Sequence, residues 1–151
     1  MRFARLSVLA VLTTTSIVVA TTSNSASAEP ATDLFFSEYV EGSGFNKAIE
    51  IYNGTGAPID LTAGVYTLEL YSNGSPAVSQ SVGLTGTIAD GDVFVVANAG
   101  NSTTPVDPTI AAVTDLVSNL VANWNGDDAV VLRKGGVIVD SFGQVGVDPG
   151  T

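Results

Sequence analysis

The chain has 151 residues, with 15 acidic and 5 basic side chains and neither His nor Cys. That length suits a single domain. The missing imidazole and thiol exclude Ser-His-Asp and Cys-His nucleophilic sites, zinc sites built on those ligands, and any disulfide framework.

The first 28 residues read as a secretory signal peptide. Arg2 and Arg5 supply the positive start, Leu6 to Ala20 the apolar run, and Ala26-Ser27-Ala28 the small-residue cleavage site, with cleavage expected after Ala28. A membrane anchor is the competing reading. It is disfavoured because the run is shorter than the roughly 20 residues a spanning helix needs and is broken by Thr13, Thr14, Thr15 and Ser16. The remaining domain, 29–151, is expected to be secreted. It keeps only Lys47, Arg133 and Lys134 as cations against all 15 carboxylates, a net charge of −12. Three cations are too few to displace counterions from nucleic-acid phosphates, and the net charge repels anionic lipid. Neither nucleic acid nor membrane is therefore an expected partner.

Leu34 to Val40 reads as a first strand, followed by a glycine-rich loop over Glu41 to Asn46. Lys47 to Asn53 is a second strand, with Ile49 and Ile51 on one face and Ala48, Glu50 and Tyr52 on the other. Gly54 to Pro58 is a turn cluster, and Ile59-Asp60-Leu61 a short strand or bend. Val65 to Tyr71 alternates most cleanly, with Tyr66, Leu68 and Leu70 on one face, and Asn73-Gly74 closes it as a turn dipeptide. Gln80 to Leu84 is another strand, Gly86 to Asp92 a turn, and Val93 to Ala97 a strand apolar enough to be buried on both faces. Thr109 to Asp115 fits one helical turn or a short strand, and Leu116 to Trp124 is equally open. A closing hairpin spans Asp127 to Phe142, turning at Gly135-Gly136. Seven to nine short strands between Gly, Asn and Pro turns predict an all-β, immunoglobulin-like antiparallel β-sandwich, with a small closed barrel as the competitor.

Carboxylates, hydroxyls and backbone are what remains for chemistry. Asn125-Gly126-Asp127-Asp128 is the densest oxygen cluster. Calcium takes six to eight oxygens, so Asp127 and Asp128, with Glu50 or Glu41, are candidate calcium ligands. The competing reading is an Asn-Gly turn held by Asx hydrogen bonds. Glu50, between Ile49 and Ile51 in a strand, is either a ligand, a binding-face residue or a structural carboxylate that needs a partner. Trp124 with Tyr39, Tyr52, Tyr66 and Tyr71 would be a sugar-stacking platform if they shared a face, and otherwise core. Arg133-Lys134 reads as a solvated turn tip. Asn53, Asn73 and Asn101 head formal glycosylation sequons.

Six segments in order, Phe36 to Ser43, Asn46 to Asn53, Tyr66 to Gly74, Leu84 to Val93, Asn125 to Leu132 and Val139 to Gly143, carry a family likeness. The chain resembles the lamin-tail domain family, in the form found near the N-terminus of secreted bacterial nucleases of the endonuclease/exonuclease/phosphatase type. The resemblance implies an immunoglobulin-like sandwich and a module that is not itself catalytic. In those relatives the chemistry lies in a later domain using His, Asp, Asn and a divalent metal, so no catalytic residue carries over. Relatives continue past the point equivalent to Thr151, so a longer chain is expected. The leading expectation is a positioning or interaction role toward another domain of the parent chain or a cell-surface component, with no cofactor required. A stand-alone surface or carbohydrate-binding module, with calcium as its ion, is the alternative expectation.

Overall fold

The computed structural model describes residues 29–150, so the segment read as a signal peptide lies outside the described residues. The elements in chain order are β1 (Phe35–Glu41), β2 (Lys47–Tyr52), β3 (Ile59–Asp60), β4 (Tyr66–Tyr71), β5 (Gln80–Gly83), β6 (Thr87–Ile88), β7 (Val93–Ala97), α1 (Pro108–Val113), β8 (Leu116–Val117), β9 (Ala129–Lys134) and β10 (Val137–Phe142). They form an all-β, immunoglobulin-like sandwich. One sheet has the order β1-β2-β7-β8, the other β10-β9-β4-β5, and β3 with β6 makes a small separate ladder. All strand pairs are antiparallel except β7 with β8, which is parallel.

The period-two alternation decides which side chains meet between the sheets. Ile49, Ile51 and Val96 from one sheet and Tyr66, Leu68, Leu70, Val130 and Leu132 from the other are buried in one cluster, closed by Trp124, Leu61 and Val121 from the connections. Each such side chain contributes on the order of 2 kcal/mol on leaving water. β7 is covered on both faces, as its unbroken apolar run predicts. Val96 points into the main core, while Val95 and Ala97 join Ala48 in a second cluster on the outer face, against Val40 and Ile110.

Tight turns set the registers. Asn73 (φ 53°) and Gly74 (φ 66°) occupy the left-handed region, and the Ser75 N–H donates to the Ser72 carbonyl at 3.0 Å. A Cβ at Gly74 would also stand 2.6 Å from the Asp148 nitrogen, so the position requires glycine twice over. Gly135 and Gly136, at φ 54° and 84°, join β9 to β10.

The edges of the two sheets are stapled where β1 and β10 meet. Both strands carry an irregularity, between Phe36 and Glu38 and between Ile138 and Asp140. The Phe36 N–H donates to Asp140 Oδ2 at 2.7 Å. Tyr39 stacks on Phe142 at 3.8 Å between ring centroids and on Trp124 at 5.2 Å. Trp124 Nε1–H donates to the Val40 carbonyl. A staple of this kind keeps two edge strands from offering themselves to other chains.

Two details depart from the sequence expectations, and one open reading is resolved. The turn over Gly86 to Asp92 contains β6, formed because Thr87 and Ile88 pair with Asp60 and Ile59. The stretch from Thr109 becomes a helix, with Asp107 capping the Thr109 N–H and Pro108 in the first turn, where its missing N–H costs nothing. Arg133 and Lys134 are not a solvated tip. Arg133 Nε donates to Glu69 at 2.7 Å and Lys134 Nζ to Asp33 at 2.8 Å, partners distant in sequence that only the packed sheets bring near.

Candidate groove on the outer sheet face

The second apolar cluster forms the floor of a groove of about 160 Å³ between α1 and the outer face of the β1-β2-β7 sheet. Glu38 and Val40 come from β1, Ala48 and Glu50 from β2, Val95 from β7, and Thr109, Ile110 and Val113 from α1. Alternation explains the set. Ile49 and Ile51 take the core face of β2, so Ala48 and Glu50 must face outward.

Glu38 and Glu50 stand directly opposite one another in the β1–β2 ladder. The irregularity in β1 leaves Ser37 without a ladder partner, and its hydroxyl donates to Glu50 Oε1 at 2.7 Å, fixing that carboxylate's orientation. Facing carboxylates repel, and the pair forms no ion pair among the described residues. Lys47, Arg133 and Lys134 are bound to Glu41, Glu69 and Asp33 respectively. The groove thus has an aliphatic floor and one acidic wall. The one hydroxyl in its lining, that of Thr109, donates to Asp107 Oδ1 at 2.7 Å as part of the α1 cap.

The three calcium candidates do not form one ligand set. Glu50 lies in the groove. Asp127 and Asp128 are buried in the turn before β9. Both Asp128 oxygens are consumed by backbone: Oδ1 accepts from the Asn73 N–H at 2.8 Å and Oδ2 from the Asn125 N–H at 2.9 Å. Asp127 Oδ1 is buried with no hydrogen-bond partner among the described residues. Among those residues no three Asp, Glu, His or Cys side chains are placed to hold a metal. Neither Asp127 oxygen accepts a hydrogen bond among the described residues, and calcium takes six to eight oxygens. Asp128 is thus committed to the turn, and Glu50 lies apart from it in the groove.

The aromatic side chains do not share an exposed face. Tyr66, Tyr71 and Trp124 are buried, and Tyr52 packs edge-on against Phe35. Burial first, then the neighbouring Glu41 carboxylate, pushes the Tyr39 phenol above its ordinary range. The Asn53 sequon is closed to modification in the folded chain. Its side chain is fully buried and its amide nitrogen donates to the Ala57 and Ile88 carbonyls. Asn73 and Asn101 are exposed.

Glu38, Val95 and Ile110 were not marked by the sequence as site residues. The signal for Glu38 was present in its two-residue spacing to Val40, which puts both on the outer face. The position of α1 above them depends on the fold.

Two stacked sheets, a stapled edge and a groove on an outer face define an immunoglobulin-like β-sandwich module. The lamin tail domain family model matches residues 27–146. The chain belongs to that family. Among curated proteins nothing matches the chain.

Proposed function

We propose that this chain is a non-catalytic positioning and interaction module, the N-terminal part of a secreted bacterial nuclease. The observation that carries the reading is the groove: its concave surface is built of aliphatic side chains and an acidic wall, the chemistry of a contact surface and not of a reaction centre. Secretion is supported by the pattern of Arg2, Arg5, the apolar run to Ala20 and Ala26-Ser27-Ala28. The nuclease parent is supported by the ordered motifs shared with the lamin-tail modules of such enzymes. The partner is another domain of the parent chain or a cell-surface component, and the module works without a bound metal.

Two measurements test this. The DNA downstream of codon 151 should continue in frame into a segment rich in His, Asp and Asn, and an in-frame stop there would remove the nuclease parent. The purified chain, given plasmid DNA with magnesium, manganese or calcium, should show no cleavage. Robust turnover that follows the chain through purification would overturn the non-catalytic reading.

A further inference from the structure

We infer that the groove receives one basic side chain, lysine or arginine, projected by a partner protein segment. The inference deepens the interaction-module reading and rests on it.

Size comes first. A cavity on the order of 150 Å³ holds one benzene-sized group, and the groove is of this size at about 160 Å³. That is room for a single side chain within the groove itself. Its two kinds of wall then select the side chain. Val40, Ala48, Val95 and Val113 present an apolar surface suited to a methylene stem. Glu38 and Glu50 present facing carboxylates at one side, suited to a charged head.

Charge decides between a basic and a merely apolar occupant. The two glutamates are aligned in register, a like-charge arrangement that disfavours the sheet unless a cation lies between them. The three cations of the described residues are each bound to a different carboxylate. The Ser37 hydroxyl holds Glu50 in place, and the Thr109 hydroxyl is turned away to Asp107 Oδ1. Glu50 is therefore fixed in orientation, and the charge of the acidic wall is unanswered within the described residues. An incoming guanidinium or ammonium group answers it, and its stem replaces water on the groove floor.

The test is a nuclear magnetic resonance titration of the chain with three probes: acetyl-Leu-Arg-Leu-amide, acetyl-Leu-Lys-Leu-amide and the uncharged acetyl-Leu-norleucine-Leu-amide. The basic peptides should produce saturable shifts at the Val40, Ala48, Val95 and Val113 methyl groups, and the norleucine peptide should not. Binding should weaken as sodium chloride rises from about 50 to 500 mM, because exposed charges are screened over that range. The double variant Glu38→Gln/Glu50→Gln should lose about tenfold or more in affinity, a change of 1.4 kcal/mol, while its melting temperature does not fall. Equal shifts from the norleucine peptide, or unchanged affinity in the double variant, would overturn the assignment. Failure here leaves the non-catalytic reading intact, whereas DNA cleavage by the chain would overturn that reading without touching the titration.

Discussion

Asp127-Asp128 and Glu38 with Glu50 are both pairs of acids, and the fold uses them in opposite ways. Asp128 gives both oxygens to backbone amides of two separate turns, at Asn73 and at Asn125, and so ties the hairpin after β4 to the start of β9. Glu50 has one oxygen engaged by Ser37, and Glu38 accepts no side-chain or backbone hydrogen bond among the described residues. Adjacent acids in the sequence turned out to be structural, and acids twelve positions apart turned out to line the groove. The distinguishing quantity is how many carboxylate oxygens the fold has already committed.

The sharpest break of this contrast is Asp128→Ala. It strips two backbone N–H groups of a charged acceptor, and equilibrium urea unfolding should show a loss of about 3 kcal/mol. Asp127→Asn, at an oxygen with no donor, should change stability by less than about 1 kcal/mol. Equal losses at the two positions would erase the distinction. Asp33 is a second carboxylate used by the fold. Burial raises its pKa, but hydrogen bonds from Lys134, the Tyr66 hydroxyl and the Leu34 N–H outweigh this and hold it below the ordinary 3.8. Its contribution is complete above that value and is lost as the pH falls through the depressed one. Melting curves between about pH 4 and pH 2 should therefore fall less steeply for Asp33→Asn than for the native chain.

A smaller effect of opposite sign is expected in the groove. Glu38→Gln/Glu50→Gln removes cross-strand repulsion and should raise stability by about 0.5 kcal/mol. A loss of stability would mean that the pair supports the sheet. The smallest effect is expected from calcium. At about 5 mM it should leave the melting temperature unchanged, and a rise of several degrees would restore an ion to the turn at Asp127.

The fold was largely legible because its strands carry local signals. Tyr66, Leu68 and Leu70 alternate with polar partners, Ile49 and Ile51 do the same, and Val93 to Ala97 announces double burial by being wholly apolar. What stayed hidden depends on distant neighbours. Thr87 and Ile88 form a strand only because Ile59 and Asp60 lie beside them, a two-residue pairing with no pattern of its own. Arg133 and Lys134 looked solvated because Glu69 and Asp33 lie 64 and 101 positions away. The site was legible only in part. Glu50 stood out as a charge in an apolar strand, but its partner Glu38 is set opposite it by the strand register, and the wall above them by where α1 comes to rest.

The bond from the Phe36 N–H to Asp140 joins residues 104 positions apart. At about 5–20 residues per second during synthesis, the first strand waits between roughly 5 and 20 seconds for the last. Throughout that interval its edge has no staple and is open to pairing with other chains. Glu38 and Glu41 sit on that same strand, and charges there make it a poor template for a neighbour. Charges on β1 are of the kind that discourages edge pairing until Asp140 arrives.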